Sequence, residues 1–128
     1  MPRESIAMSR AEVLEFLAGQ DWMLLATLEA GGAPTGEIVS CALEAERLFF
    51  GVDPDGRSAR NLKRDPRACC ANDRYPSYYE IQGVSVHGRA RPEKDPAPAR
   101  RLSLSGEIYS LALDDVLSFD FAKIRDKL

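Results

Sequence analysis

The sequence is short of the residues that most single-site chemistries require. His87 is its only histidine, so a Ser-His-Asp arrangement or a histidine metal cluster would rest on that one ring. The three cysteines, Cys41, Cys69 and Cys70, are an odd number without CxxC spacing. Neither a disulfide framework nor a zinc site is favoured, and a reducing cytoplasm is the simpler expectation. No apolar run approaches the ~20 residues needed to cross a bilayer. The opening MPRESIAMSR is polar and lacks the apolar centre of a secretory signal. Positive charge is not in excess, since the formal net charge is -3. General nucleic-acid affinity needs a basic surface that releases phosphate counterions, so none is expected. A GxGxxG fingerprint, internal repeats and low-complexity tracts are also missing. These absences leave a small cytoplasmic domain with no membrane or nucleic-acid partner.

What is present fits one domain. The 128 residues, 45% hydrophobic and 29% charged, can bury roughly two-thirds of the unfolded surface and build a core. Ser9 followed by Glu12 is a capping box, and Val13, Leu14, Phe16 and Leu17 supply a helical apolar stripe that Gly19 ends. WMLLATL (22–28) reads as a buried strand, the turn residues Gly31, Gly32 and Pro34 follow, and EIVSCALE (37–44) is its hairpin partner. RLFFGV (47–52) is a third strand, RACCAN (67–72) a fourth, and YYEIQGVSVHGRAR (78–91) a long fifth with bends at Gly83 and Gly88. A short helix is expected near Ala99–Leu104, and EIYSLAL and VLSFDF close the chain as strands. Consecutive hairpins with few helical crossovers predict a mostly β fold. We expect a six- to seven-stranded antiparallel, closed or nearly closed sheet with short flanking helices.

One segment runs against the overall charge. DPDGRSARNLKRDPR (53–67) carries Arg57, Arg60, Lys63, Arg64 and Arg67. Pro54 and Gly56 break the preceding strand, a two-turn helix runs from about 57 to 64, and Asp65-Pro66 ends it. A helix start offers free backbone N–H groups and a positive dipole end. Arg57 and Ser58 at that start, with Asn61 one turn on, could hold a phosphate. Lys63 and Arg64 sit where cations satisfy the dipole at the other end. The same residues also read as a solvated, charge-capped helix.

The order of these parts resembles the pyridoxamine 5'-phosphate oxidase-like, FMN-binding split-barrel family. The resemblance is carried by Ala26-Thr27, Gly32-Ala33-Pro34, Leu48-Phe49-Phe50, Ala59-Arg60-Asn61-Leu62, Asp65-Pro66-Arg67 and Gly88-Arg89-Ala90. It implies a split β-barrel homodimer with two flavins at the subunit interface. By position, Arg57 matches a phosphate-binding basic residue, while Ser58 stands where lysine is common. Ile38, Val39, Ser40 and Val52 fall where ring- or phosphate-facing strand residues are expected, and Gln82 could reach a flavin from the partner subunit. Thr35 and Ser40 stand where the oxidase itself carries basic flavin contacts. FMN is the implied cofactor, with the deazaflavin F420 or haem as alternatives used by related barrels. The implied activity is a flavin-dependent oxidoreductase on an unknown small molecule. A non-catalytic flavin or electron-transfer module is the alternative, and an empty barrel kept for protein contact is another. True pyridoxamine phosphate oxidation is not expected, because that enzyme has a C-terminal basic substrate clamp and this sequence closes with SFDFAKIRDKL.

Other residues have plainer readings beside functional ones. His87 lies mid-strand and is either a half-buried strand residue or a catalytic or haem-binding one. Adjacent in a strand, Cys69 and Cys70 point to opposite faces and read as small hydrophobes rather than a redox pair. Tyr75, Tyr78 and Tyr79 pad a loop or interface, or border the ligand. Trp22 is expected in the core or an interface. The pairs Glu44/Glu46 and Asp114/Asp115 read as turn residues.

Overall fold

Ser9 opens the first helix as its chemistry predicts. Its hydroxyl accepts the Glu12 N–H at 3.2 Å, and the Glu12 carboxylate accepts the Ser9 N–H at 2.9 Å, so two otherwise orphaned donors are satisfied. The computed structural model describes residues 5–75 and 80–125. In chain order these form α1 (Arg10–Ala18), β1 (Trp22–Leu28), β2 (Pro34–Glu44), β3 (Arg47–Val52), α2 (Arg57–Arg64) and β4 (Arg67–Arg74). There follow β5 (Gln82–Arg89), β6 (Arg91–Pro92), α3 (Pro96–Arg101), β7 (Glu107–Ala112), β8 (Asp115–Asp120) and α4 (Ala122–Arg125). The strands make one curled antiparallel sheet in the order β6-β7-β3-β2-β1-β4-β5-β8, the half-barrel of a split-barrel fold. No helix among the described residues is long and apolar enough to cross a membrane.

β2 joins the two halves of the sheet. Its first part, Pro34 to Ser40, pairs with β1, and its last part, Cys41 to Glu44, pairs with β3. Alternation along the strands sends Met23, Leu25, Val39, Cys41, Leu48, Phe50, Cys70 and Val86 inward, where α1 adds Val13, Phe16 and Leu17. Outside β3 and β7, a second small cluster of Phe49, Leu104 and Ile108 packs with Ala99 and Leu102 of the α3 region. The outer face of β2's first half, β1, β4, β5 and β8 has no such cover among the described residues.

Several details depart from the expected elements. The described residues form eight strands because Arg91–Pro92 adds a short pairing to β7, and Pro92 has no N–H to extend it. β2 starts at Pro34 rather than 37, since pairing continues out to Leu28 and proline is tolerated as a first strand residue. Of the expected strand 78–91, only Gln82–Arg89 forms β5, Arg91 belongs to β6, and positions 78 and 79 lie outside the described residues; β5 is the shorter strand. It ends where the Ala90 N–H leaves the ladder for the Pro66 carbonyl, 2.7 Å away. The third helix starts earlier than expected because the Asp95 carboxylate caps the Ala97 N–H at 3.0 Å and Pro96 fits the first helical position. Gly83 is not a bend. A Cβ there would stand 2.4 Å from the ring of Phe119, its partner on β8, so the glycine makes room for that ring.

Candidate functional site

The strand register sorts the bare outer face into rows, with successive rows about 7 Å apart along the strands. One row runs Ile38, Leu24, Ala71, Ser85, Leu117 across β2, β1, β4, β5 and β8. On one side of it stand Ser40 opposite Trp22, and Gly83 opposite Phe119. On its other side runs Gly36, Ala26, Cys69, His87, Asp115. Beyond that, Leu28 faces Pro34 and Arg67 faces Arg89. Polarity therefore rises across the face, from apolar rows to a basic edge.

The apolar rows expose what a barrel normally hides. Ile38 is 60% exposed, Leu117 64% and Trp22 50%. Trp22 therefore lies outside the core. With Leu24, Ala71 and Phe119 these side chains line an open groove of about 590 Å³, a volume within the usual range of small-molecule sites. A contiguous apolar patch of this kind marks a binding or association surface. A smaller groove of about 180 Å³ lies beside it, lined by Ala26, Leu28, Pro34, Arg67 and Cys69.

α2 adds a different kind of surface. Its N-cap is Gly56, which offers no side-chain cap, so the first N–H groups of the helix have no intrahelical or side-chain acceptor. A Cβ at Gly56 would press on Asp53 at 3.2 Å, so the tight Asp53–Gly56 turn favours glycine. Arg57 points back toward the β1–β2 turn, its Nε 3.3 Å from a Glu29 carboxylate oxygen. That oxygen also accepts the Thr35 hydroxyl at 2.8 Å. Ser58 is buried, and no side-chain hydrogen bond fixes its hydroxyl among the described residues. An uncapped helix start with one arginine and one uncommitted hydroxyl is suited to an anion. Asp53 and Asp55 in the same turn oppose it.

Asn61 is placed otherwise than expected. It is 2% exposed and points at β1, donating from Nδ2 to the Thr27 hydroxyl at 3.0 Å. Its Oδ1 accepts from Arg64 at 3.1 Å, and Arg64 also donates to the Leu28 carbonyl at 2.6 Å. Asn61 and Arg64 thus pin α2 to the end of β1. The remaining basic residues have their own partners. Arg67 grips Asp65 at 2.7 Å and holds that carboxyl down at a pKa of about 2, while Lys63 lies 3.7 Å from Glu107.

The other expected positions divide. Ile38 and Ser40 stand on the outer face, and Ile38 lines the larger groove. Val39 and Val52 bury their side chains in the core, which leaves only their backbone for a ligand. Gln82 donates to Asp120 at 3.2 Å in a separate polar recess with Glu12 and Arg74, away from Ile38 and Arg57. Tyr75 is exposed, and Tyr78 and Tyr79 lie outside the described residues. No group of metal-ligating side chains is present among the described residues. The sequence alone does not mark Leu24, Leu117 and Phe119 as site residues, although Leu117 and Phe119 alternate with Ser118 and Asp120, the mark of a strand with one apolar face.

This arrangement of strands and helix has a known counterpart. The family model for pyridoxamine 5'-phosphate oxidase matches residues 9–127. The chain belongs to the pyridoxamine 5'-phosphate oxidase family. No curated protein sequence matches it. Among solved structures, the conserved protein Rv2991 of Mycobacterium tuberculosis superposes with a TM-score of 0.82 at 21% identity, covering 98% of this chain and 92% of that one. An FAD-binding protein of Mycobacterium smegmatis gives 0.75 at 14% identity, covering 89% of this chain and 98% of the other. The FAD-binding protein mll6688 of Mesorhizobium loti gives 0.74 at 16%, with 89% and 96% covered. At these identities the likeness is one of fold.

Proposed function

We propose that this member of the family is an FMN-binding flavoprotein, an oxidoreductase for a small molecule, working as a homodimer with the flavin at the subunit interface. The observations that support it most are an exposed apolar groove on the outer face and an uncapped helix start at the β1–β2 end of the sheet. A tricyclic ring on a phosphate-bearing chain needs both. The residues present fit such a group in part. The free N–H groups of α2, Arg57 and the Ser58 hydroxyl would take the phosphate, while Ile38, Leu24 and the β2 backbone would take the ring. The flavin supplies the hydride and electron chemistry when bound, and the protein binds and orients it and limits access to water. Arg57 must leave Glu29 to face a phosphate fully. A second copy laid on Trp22, Leu117 and Phe119 would cover the rest of the apolar face, as exposed patches of this kind do in dimers.

The test is an FMN titration followed by flavin fluorescence, on the protein and on Arg57→Ala, with sedimentation at micromolar concentration. Arg57→Ala is expected to lose about 1–3 kcal/mol of binding, roughly 5- to 150-fold in Kd. Glu29→Gln is expected to tighten binding, since it frees Arg57 and removes a nearby negative charge. Unchanged affinity in Arg57→Ala would remove that residue from the site. A protein that takes no FMN would overturn the cofactor, and F420 and haem titrated alongside would identify either alternative. FMN bound to a sedimenting monomer would overturn the interface placement.

A further inference from the structure

The proposed function leaves most of the basic segment unused. Arg64 and Arg67 belong to that segment, and the register sets Arg89 of β5 directly opposite Arg67 on the outer face. Like charges directly opposite one another weaken a sheet, and an anion between them relieves the repulsion. We propose that the smaller groove and these arginines form a binding site for an apolar organic acid, its carboxylate on the guanidinium groups and its body in the groove. As a substrate class the proposal rests on the flavoprotein reading; as a binding site it stands without it.

Three observations carry it. The first is the groove itself, about 180 Å³, to which Ala26, Leu28, Pro34 and Ala68 give apolar walls and Arg67 brings a charge. The second is unspent positive charge around it. Asp65 accepts from both Nε and Nη2 of Arg67, and the nearby charge of Arg89 also helps hold that carboxyl down. Arg89 is exposed and makes no hydrogen bond or ion pair among the described residues. Arg64, on the Leu28 side, donates to two neutral acceptors, the Leu28 carbonyl and the Asn61 amide oxygen. Three guanidinium groups thus share one carboxylate, since Glu29, next to Leu28, is taken up by Arg57 and the Thr35 hydroxyl. In a chain of net charge -3, a local excess of this kind points to an anionic ligand. The third is placement. The arginines lie two rows from Ile38, Leu24 and Leu117, clear of the larger groove, so an acid anchored there extends its body past Ala26 and Cys69 toward the proposed ring.

Recognition divides between the two parts. The planar guanidinium forks match a carboxylate and disfavour neutral or cationic analogues, while the groove selects a flat apolar body. Because the arginines are open to solvent, salt screens the contact and the discrimination is several-fold. Asp65 is an internal competitor for the Arg67 fork, so removing its charge strengthens the site.

The experiment titrates the full chain with 2-naphthoate and with its neutral analogue 2-naphthamide, followed by amide chemical shifts, with FMN titrated in parallel by flavin fluorescence. Naphthoate is expected to bind roughly 5- to 10-fold tighter than naphthamide at low salt, with the gap closing as salt is raised. Shifts are expected at Leu28, Arg67, Cys69 and Arg89. Arg89→Gln is expected to remove most of the gap by weakening naphthoate alone, with FMN affinity unchanged. Asp65→Asn is expected to tighten naphthoate several-fold. Equal affinities for the two probes, no saturable naphthoate binding, an Arg89→Gln protein that binds naphthoate like wild type, or shifts confined to Trp22, Leu24 and Leu117 would each overturn the site. So would an Arg89→Gln protein that loses naphthoate and FMN alike, because the arginines would then serve the flavin phosphate. A chain that takes no FMN yet keeps the naphthoate pattern would overturn the substrate role and leave the binding site standing.

Discussion

Replacing Asn61 with alanine should cost stability rather than phosphate binding, although the residue sits in the basic segment. The reason is its place between α2 and β1. Thr27 is 1% exposed and gives its hydroxyl oxygen to the Asn61 Nδ2 at 3.0 Å. Without that donor the buried oxygen loses its partner, a cost of about 1–3 kcal/mol. The bond from Arg64 adds little, because that side chain is exposed and keeps the Leu28 carbonyl. Alanine's better helix propensity returns about 0.5 kcal/mol. The expected loss is therefore about 1.5 kcal/mol, which at the usual urea sensitivity of a small domain moves the unfolding midpoint by roughly 0.5–1.5 M.

Equilibrium urea unfolding of Asn61→Ala measures this directly. A second variant, Asn61→Leu with Thr27→Val, removes both polar partners together and should be more stable than Asn61→Ala, since no buried group is then left unpaired. A loss under about 0.5 kcal/mol in Asn61→Ala would refute the assignment of Asn61 to the helix–strand joint. So would a protein of unchanged stability that no longer binds FMN, because that places Asn61 on the ligand.

Two further predictions concern stability alone. Ala45 and Glu46 link β2 and β3 with positive φ angles of 50° and 57°, left-handed geometry that costs non-glycine residues roughly 1–2 kcal/mol each. The pair Ala45→Asn, Glu46→Gly should raise stability by about 1–2 kcal/mol despite losing the exposed Arg10–Glu46 pair, and an unchanged or lower urea midpoint would count against the strain. Glu12 and Asp65 have pKa values lowered to about 2, first by hydrogen bonds from Lys123 and Arg67 respectively. Their contribution is complete above the unfolded carboxyl values near pH 4 and is lost as pH falls from there toward 2. Glu12→Gln and Asp65→Asn should each flatten the acid limb of stability against pH in that window and leave the slope near pH 7 unchanged. A slope between pH 4 and 2 equal to wild type would remove the group from the account.

Local chemistry made the elements legible, because each signal acts within a few residues. The Ser9–Glu12 capping box, the strand β1 and the break at Asp65-Pro66 all rest on neighbours in sequence. What sequence could not supply was direction. Asn61 and Arg57 lie four residues apart on one short helix, yet the first is sealed against Thr27 and the second reaches out to Glu29. Both lie on one side of the helix, and position along it separates them: Asn61 sits over Thr27, while Arg57 stands at the open end beside Glu29. Gln82 shows the same limit on a strand, where a parity of one residue sends it to Asp120 rather than to the outer face. Register is also what brings Cys69, His87 and Asp115 opposite one another, the second and third lying 18 and 46 positions beyond the first. No spacing motif links them, and their alignment across three strands comes from the hairpins that pair β4 with β5 and the return of β8 to the same edge. The face that carries the proposed chemistry is thus a product of topology. A substitution that slipped β5 by one residue would turn His87 into the core and dismantle the row while leaving every local signal intact.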